Sequence, residues 1–107
     1  MAGIPEIDIH EAKKRLDQAD AVFVDVRDGG SFDAAHIKGA TNVNSDNVQT
    51  FIDAADKART VIVYCYHGHS SRMGAGFLRE KGFAEVFSMS GGFEAWRGVY
   101  PHESRPR

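Results

Sequence analysis

One cysteine lies in a segment whose residue types suit nucleophilic chemistry on a small anion. The segment runs from Cys65 to Arg72 and contains Gly68, which lets the chain curl. An apolar run, TVIVY, precedes it, and a helix is predicted to start at about residue 71. Helix starts have unpaired N–H groups and partial positive charge, so a loop closing around one forms an anion cradle. The other residues of this loop are Tyr66, His67, His69, Ser70 and Ser71.

A thiol in such a cradle is expected to ionise easily. Cysteines at helix starts have pKa values of roughly 3.5–7.5, against about 8.5 for the free residue. The thiolate is the nucleophile, and the N–H groups that stabilise it also stabilise an anion transferred onto it. Hydroxyls of Ser70 and Ser71, the charge of Arg72, and His67 and His69 when protonated, add to this environment. The alternative is an inert buried thiol, which the polar, glycine-containing loop disfavours.

The position of the arginine separates two chemistries that use loops of this kind. Phosphatases of the C-x5-R type place an arginine six positions after the cysteine, where it forks onto phosphate. Here Ser71 holds that position and Arg72 follows it. One helical step turns a side chain by about 100°, so Arg72 is aimed away from the loop centre. A persulfide sulfur is smaller than phosphate and fits the shorter loop. A phosphatase or arsenate reductase remains the alternative.

Short apolar runs alternate with helical segments along the whole chain, which predicts an α/β sandwich with a mostly parallel sheet of about five strands. Cys65 follows the most apolar strand, at the end where such sheets bind ligands. The predicted strands cover residues 4–7, 21–26, 41–43, 60–64 and 85–88. The predicted helices cover residues 9–18, 32–36, a stretch ending at 55, 71–81 and 93–97. The predicted caps of the first three helices are Asp8, Ser31, and Ser45 or Asp46.

Composition narrows the possible functions. The 107 residues suit a single domain, and a net charge of −2 does not indicate broad nucleic-acid binding. No apolar run approaches the roughly 20 residues of a membrane span, and the N-terminus has no secretory pattern, so the cytoplasm is expected. One cysteine excludes an internal disulfide and any metal site needing two thiolates. His67 and His69 have no third ligand nearby, so neither a metal nor another cofactor is expected.

Three stretches resemble one known family. They are VDVRDGGSFDAAHIKGATNV at residues 24–43, CYHGHSSR at 65–72 and GGFEAW at 91–96. Their order and spacing resemble the single-domain rhodanese family, bacterial thiosulfate sulfurtransferases of the GlpE type. The resemblance implies a three-layer sandwich in which helices flank the sheet on both faces.

The resemblance also implies an activity. Cys65 would take the outer sulfur of thiosulfate, release sulfite, and pass the sulfur to cyanide or a thioredoxin-like dithiol in a ping-pong cycle. Backbone N–H groups of residues 66–70 would hold the persulfide, and Arg72 would attract the anion. His69 is unusual at its position. The competing hypothesis within this fold is a binding module without catalysis, which the cysteine disfavours.

The remaining signature residues are expected to be structural. Asp25 and Arg27 alternate at a strand end and are predicted to form a partly buried charged or hydrogen-bonded support under the loop. A structural hydrogen bond is expected for His36. Phe93 and Trp96 are expected in the core, and residues 101–107 as a frayed tail.

Overall fold

Five parallel strands form the central sheet of the computed structural model, which describes residues 3–105. The strands are β1 (Glu6–Ile7), β2 (Ala21–Asp25), β3 (Thr41–Asn42), β4 (Thr60–Tyr64) and β5 (Val86–Met89). Their spatial order is β1-β5-β4-β2-β3, and every neighbouring pair runs parallel. The most apolar strand, β4, therefore lies at the centre, and all strands end at the same edge.

Side chains that alternate along the strands fill two cores, one on each face of the sheet. The helices that cover these faces are α1 (Ile9–Asp17), α2 (Gly29–Ala34), α3 (Val48–Ala54), α4 (Ser70–Glu80) and α5 (Gly92–Arg97). Ile62 and Tyr64 of β4 pack with residues of α1 and α5, including Trp96. Val61 and Val63 point to the opposite face and pack with residues of α3 and α4. The three-layer α/β architecture expected from the sequence is confirmed.

The predicted start of α1 is confirmed, because Asp8 Oδ1 accepts the N–H of Glu11 at 2.8 Å. The predicted start of α2 is wrong. Asp28 caps this helix and accepts both the N–H and the hydroxyl of Ser31, so the helix begins before Ser31. A carboxylate presents two acceptor oxygens at once, and it therefore takes both donors of the serine.

The predicted cap of α3 is also wrong. Neither Ser45 nor Asp46 caps it, and Asn47 stands in the cap position without a side-chain cap bond. Asn44 instead accepts the N–H groups of Asp46 and Asn47 and turns the chain ahead of the helix. Such asparagine turns compete with capping by nearby residues.

The C-terminal segment returns across the protein toward α2. His36 and Glu103 exchange two backbone hydrogen bonds of 2.8 Å, and Arg105 donates its N–H to the Asp33 carbonyl. The indole of Trp96 also donates to the carbonyl of Pro101. These bonds connect residues 101–105 to the rest of the domain. The frayed tail expected over residues 101–107 stays a prediction, and its residues 106–107 lie outside the described residues. Within residues 3–105, no helix has the length and apolarity needed to cross a membrane.

Candidate active site

A cavity of about 210 Å³ opens at the carboxyl edge of the sheet, beside β4 and β2. It brings together five of the predicted loop residues and one predicted support residue, Arg27. Gly68, Ser71 and Arg72 are not among the lining residues. The cavity is lined by Val26, Arg27, Asp28, Cys65, Tyr66, His67, His69 and Ser70.

The sulfur of Cys65 lies among hydrogen-bond donors. Cys65 is only 6% exposed, and the N–H of Gly68 donates to its Sγ at 3.1 Å. Ser71 Oγ lies 3.4 Å from the same sulfur. Burial raises the pKa of the Cys65 thiol, but the hydroxyl and N–H of Ser71 and the N–H groups of Gly68 and His67 outweigh it. The net pKa is below the ordinary value.

Cys65 is therefore expected to react as a thiolate at lower pH than free cysteine does. A lowered pKa raises the thiolate fraction at every pH below the ordinary midpoint, which is about 8.5. The rate of alkylation by iodoacetamide, followed from pH 5 to 10, should have its midpoint below that of free cysteine, and thiosulfate should slow it. A midpoint equal to that of free cysteine would show that the loop donors do not stabilise the anion.

The start of α4 faces this loop. Its first residue is Ser70, and His69 stands in the cap position without a side-chain cap bond. Because no cap side chain takes them up, N–H groups of the first turn are left for the loop and its ligand. The helix dipole adds partial positive charge at this end. The start of α4 therefore lies where the strand–loop–helix pattern predicts an anion cradle.

Two glycines hold the loop against the start of α5. The N–H groups of Phe93 and Glu94 donate to the carbonyls of Cys65 and Tyr66 at 2.8 and 3.0 Å. Gly92 has φ +61°, and a Cβ there would lie 2.4 Å from the Tyr66 oxygen. Gly68 has φ +97°, and its Cβ would approach the nitrogen of Gly91 to 3.2 Å. Gly92, the second residue of the GGFEAW stretch, thus allows the start of α5 to approach the backbone of the cysteine loop.

Arg27 and Asp25 form a buried ion pair next to the cavity. Arg27 Nη2 lies 2.7 Å from Asp25 Oδ2 and also donates to the carbonyl of Ala35. The Arg27 side chain is 3% exposed, and that of Asp25 is fully buried. The guanidinium carbon lies 4.3 Å from the ring centroid of Phe93 and 4.9 Å from that of Tyr66. Arg27 thus contacts the ring of the loop residue Tyr66, and it also lines the cavity.

His36 lies away from the cavity. Its Nδ1 is 2.6 Å from the carbonyl oxygen of Phe32, and the two rings stack with centroids 3.9 Å apart. Its backbone pairs with Glu103. These contacts agree with the structural hydrogen bond expected for this histidine. Phe93 and Trp96 are fully buried, as predicted.

Arg72 lies outside the cavity. Its Nη2 is 3.2 Å from Glu6 Oε1, and its side chain is 55% exposed. The helical step beyond Ser71 turns it toward β1, where a carboxylate compensates its charge. This placement does not support the anion-attracting role expected for Arg72.

Arg72→Ala should therefore change the KM for thiosulfate, the donor that the resemblance implies, by less than about threefold, because its exposed guanidinium pairs with Glu6, lies outside the cavity and is screened by solvent. Steady-state kinetics at low salt measure the change. Arg79→Ala is the matched control, since it removes the same charge from the last turn of α4. A tenfold rise in KM for Arg72→Ala with no change for Arg79→Ala would restore the expected role.

One residue at the site has no sequence signal. Ser88 of β5 is fully buried, and its hydroxyl lies 2.7 Å from that of Ser71. A lone serine in a predicted strand does not indicate a contact with a loop 17 residues earlier.

Within residues 3–105, no group of three or more His, Cys, Asp or Glu residues is placed to hold a metal ion.

Comparisons with known proteins agree with this geometry. The family model for the rhodanese-like domain matches residues 8–98. Thiosulfate sulfurtransferase GlpE of Pseudomonas fluorescens is 47% identical over 93 residues, which cover 87% of this chain and 85% of that protein. Its namesake in Shewanella oneidensis is 41% identical over 96 residues, or 90% and 95% of the two chains.

A solved structure extends the agreement to three dimensions. The rhodanese-like domain of the Anabaena protein Alr3790 superimposes with a TM-score of 0.84 at 30% identity, covering 94% of this chain and 79% of that one. A full-length protein from Lactobacillus plantarum has a TM-score of 0.78 at 28% identity, covering 92% and 87%. With the sequence signatures, the sheet order and the cysteine loop in agreement, the chain belongs to the rhodanese-like domain family.

Proposed function

We propose that this protein is a thiosulfate sulfurtransferase that carries sulfur as a persulfide on Cys65. The observation that carries the proposal is the buried Cys65 sulfur, held by the Gly68 N–H at the start of α4 and facing an anion-sized cavity. Relatives named thiosulfate sulfurtransferase match most of the chain at 41–47% identity, which supports the same activity here.

The first half-reaction follows from the environment of the sulfur. The Cys65 thiolate attacks the outer sulfur of thiosulfate, a new S–S bond forms, and the S–S bond of thiosulfate breaks. Sulfite leaves with the electron pair of the broken bond, so no external oxidant or reductant is required. The persulfide anion that remains is stabilised by backbone N–H groups of loop residues 66–70 and by the dipole of α4.

The second half-reaction requires an outside acceptor. The chain has one cysteine, so no second thiol of the same chain can attack the persulfide and form a disulfide. A nucleophile such as cyanide attacks the outer sulfur and leaves with it, which regenerates the Cys65 thiolate. A dithiol protein of the thioredoxin type can accept the sulfur in the same way. We place this cycle in the cytoplasm, where a lone thiol stays reduced.

Steady-state kinetics with thiosulfate and cyanide test the proposed function. A ping-pong cycle predicts parallel lines in double-reciprocal plots of the rate of thiocyanate formation. Cys65→Ser should reduce turnover by a factor of about 10³ or more, because the nucleophile is lost. Ser45→Ala provides a matched control away from the cysteine loop. Thiocyanate formation that persists in Cys65→Ser would contradict the proposal.

The alternative, a phosphatase or arsenate reductase of the C-x5-R type, needs an arginine of the cysteine loop that binds phosphate through two hydrogen bonds. Ser71 stands at the position of that arginine, and Arg72, the next residue, pairs with Glu6 and lies outside the cavity. Hydrolysis of an aryl phosphate by the wild type, abolished in Cys65→Ser, would favour that alternative.

A further inference from the structure

A buried pair of serine hydroxyls connects the reactive sulfur to the sheet. Ser71 Oγ lies 3.4 Å from Cys65 Sγ and 2.7 Å from Ser88 Oγ, and both serines are fully buried. We propose that Ser88 is a positioning residue for the sulfur chemistry, because it turns the proton of the Ser71 hydroxyl toward the sulfur. The proposal rests on the proposed function in one respect. The arrangement stabilises the Cys65 thiolate, and in the proposed cycle it stabilises the persulfide anion as well.

The number of protons determines the direction of the two hydrogen bonds. Each serine hydroxyl has one proton to donate and two lone pairs to accept with. When the sulfur of Cys65 is an anion it can only accept, so the Ser71 hydroxyl must donate to it. Ser71 then has only lone pairs left for Ser88, and Ser88 must be the donor in the 2.7 Å bond between the two hydroxyls.

The strand fixes Ser88 more firmly than a loop would. Ser88 pairs with Glu6 of β1 on one side and Val63 of β4 on the other, and its N–H donates to the carbonyl of Pro5. Its hydroxyl is therefore held at the interior of the sheet, facing α4. A rigid second partner is what a precisely oriented hydroxyl needs.

Without Ser88 the Ser71 hydroxyl has another possible acceptor. A serine inside a helix can donate to the backbone carbonyl four residues earlier, which here belongs to His67. In that orientation a lone pair of Ser71 faces the sulfur and repels the anion. A donated bond from Ser88 occupies the lone pair, keeps the proton on the sulfur side and polarises the hydroxyl. Ser88 thus acts on the sulfur through Ser71.

The test is the pH midpoint of Cys65 alkylation by iodoacetamide, measured on the full chain. Ser71→Ala and Ser88→Ala should each raise the midpoint, Ser88→Ala by about 0.5–1 pH unit, as expected for loss of one oriented hydrogen bond. The double variant should have the midpoint of Ser71→Ala alone, since Ser88 acts through that residue. Val86→Ala is the matched control: it removes buried volume on the same strand and should lower stability without moving the midpoint.

A second pair of variants covers the case in which Ser88→Ala does not fold. Ser88→Thr and Ser88→Val have nearly equal shape and suit a strand, but only threonine keeps the hydroxyl. The threonine variant should retain the wild-type midpoint, and the valine variant should have the raised one. Equal midpoints in these two variants, or additive shifts in the double alanine variant, would overturn the proposal. Alkylation needs no thiosulfate, so this result is independent of whether the wild type forms a persulfide.

Discussion

Asp25→Ala is expected to lower the free energy of unfolding by about 3–5 kcal/mol, because it leaves the buried guanidinium of Arg27 without its counter-charge. The Asp25 side chain is fully buried and that of Arg27 is 3% exposed, so solvent compensates the lost carboxylate far less than it would at the surface. Urea unfolding followed by circular dichroism measures the loss. Sulfur transfer should fall as well, because Arg27 lines the cavity and contacts the ring of Tyr66.

The double variant Asp25→Ala/Arg27→Ala separates the unpaired charge from the lost packing. It removes both charges, so its loss of unfolding free energy should be smaller than the sum of the losses in the two single variants. A loss below about 1 kcal/mol for Asp25→Ala would mean that the pair behaves like an exposed salt bridge. That result would contradict its role as a buried support of the site.

Gly92→Ala is expected to destabilise the protein by about 3 kcal/mol or more and to abolish most sulfur transfer. The new Cβ would lie 2.4 Å from the Tyr66 oxygen and 2.6 Å from that of Cys65, both backbone atoms. The φ of +61° adds strain of about 1–3 kcal/mol for any residue with a Cβ. Relief of the clash requires the cysteine loop to move away from α5, which breaks the bonds donated by Phe93 and Glu94.

Gly98→Ala is the matched control for this substitution. Gly98 lies at the other end of α5 with a φ of −81°, and a Cβ there meets no atom within 4 Å. Its substitution should leave the free energy of unfolding within about 0.5 kcal/mol of the wild-type value and the transfer rate within about twofold. Equal behaviour of the two alanine variants would show that the loop does not depend on the close approach at Gly92.

Local patterns predicted most of the fold. The β-branched runs around Phe23 and Ile62 identify the two central strands, because strands buried on both faces are continuously apolar. Asp8 and Glu11 identify the start of α1 by their spacing. The position of Cys65 after the central strand places it at the ligand-binding edge. Each of these signals involves residues close together in the sequence.

The features that the sequence did not predict depend on residues far apart in the chain. The hydroxyl contact of Ser88 with Ser71 and the close approach of Gly92 to Tyr66 depend on how β5 and α5 pack against the loop. The pairing of Arg72 with Glu6 depends on β1 lying beside β5. The return of residues 101–105 depends on a backbone pairing with His36. No periodicity or capping rule contains this information.

The most direct test of the central claim is the intact mass of the protein after incubation with thiosulfate and removal of excess reagent. Wild-type protein should gain the mass of one sulfur atom, and cyanide should remove it. Cys65→Ser should gain nothing under the same conditions. A wild-type protein whose mass does not change, or a Cys65→Ser variant that gains the sulfur, would contradict the assignment of Cys65 as the sulfur carrier.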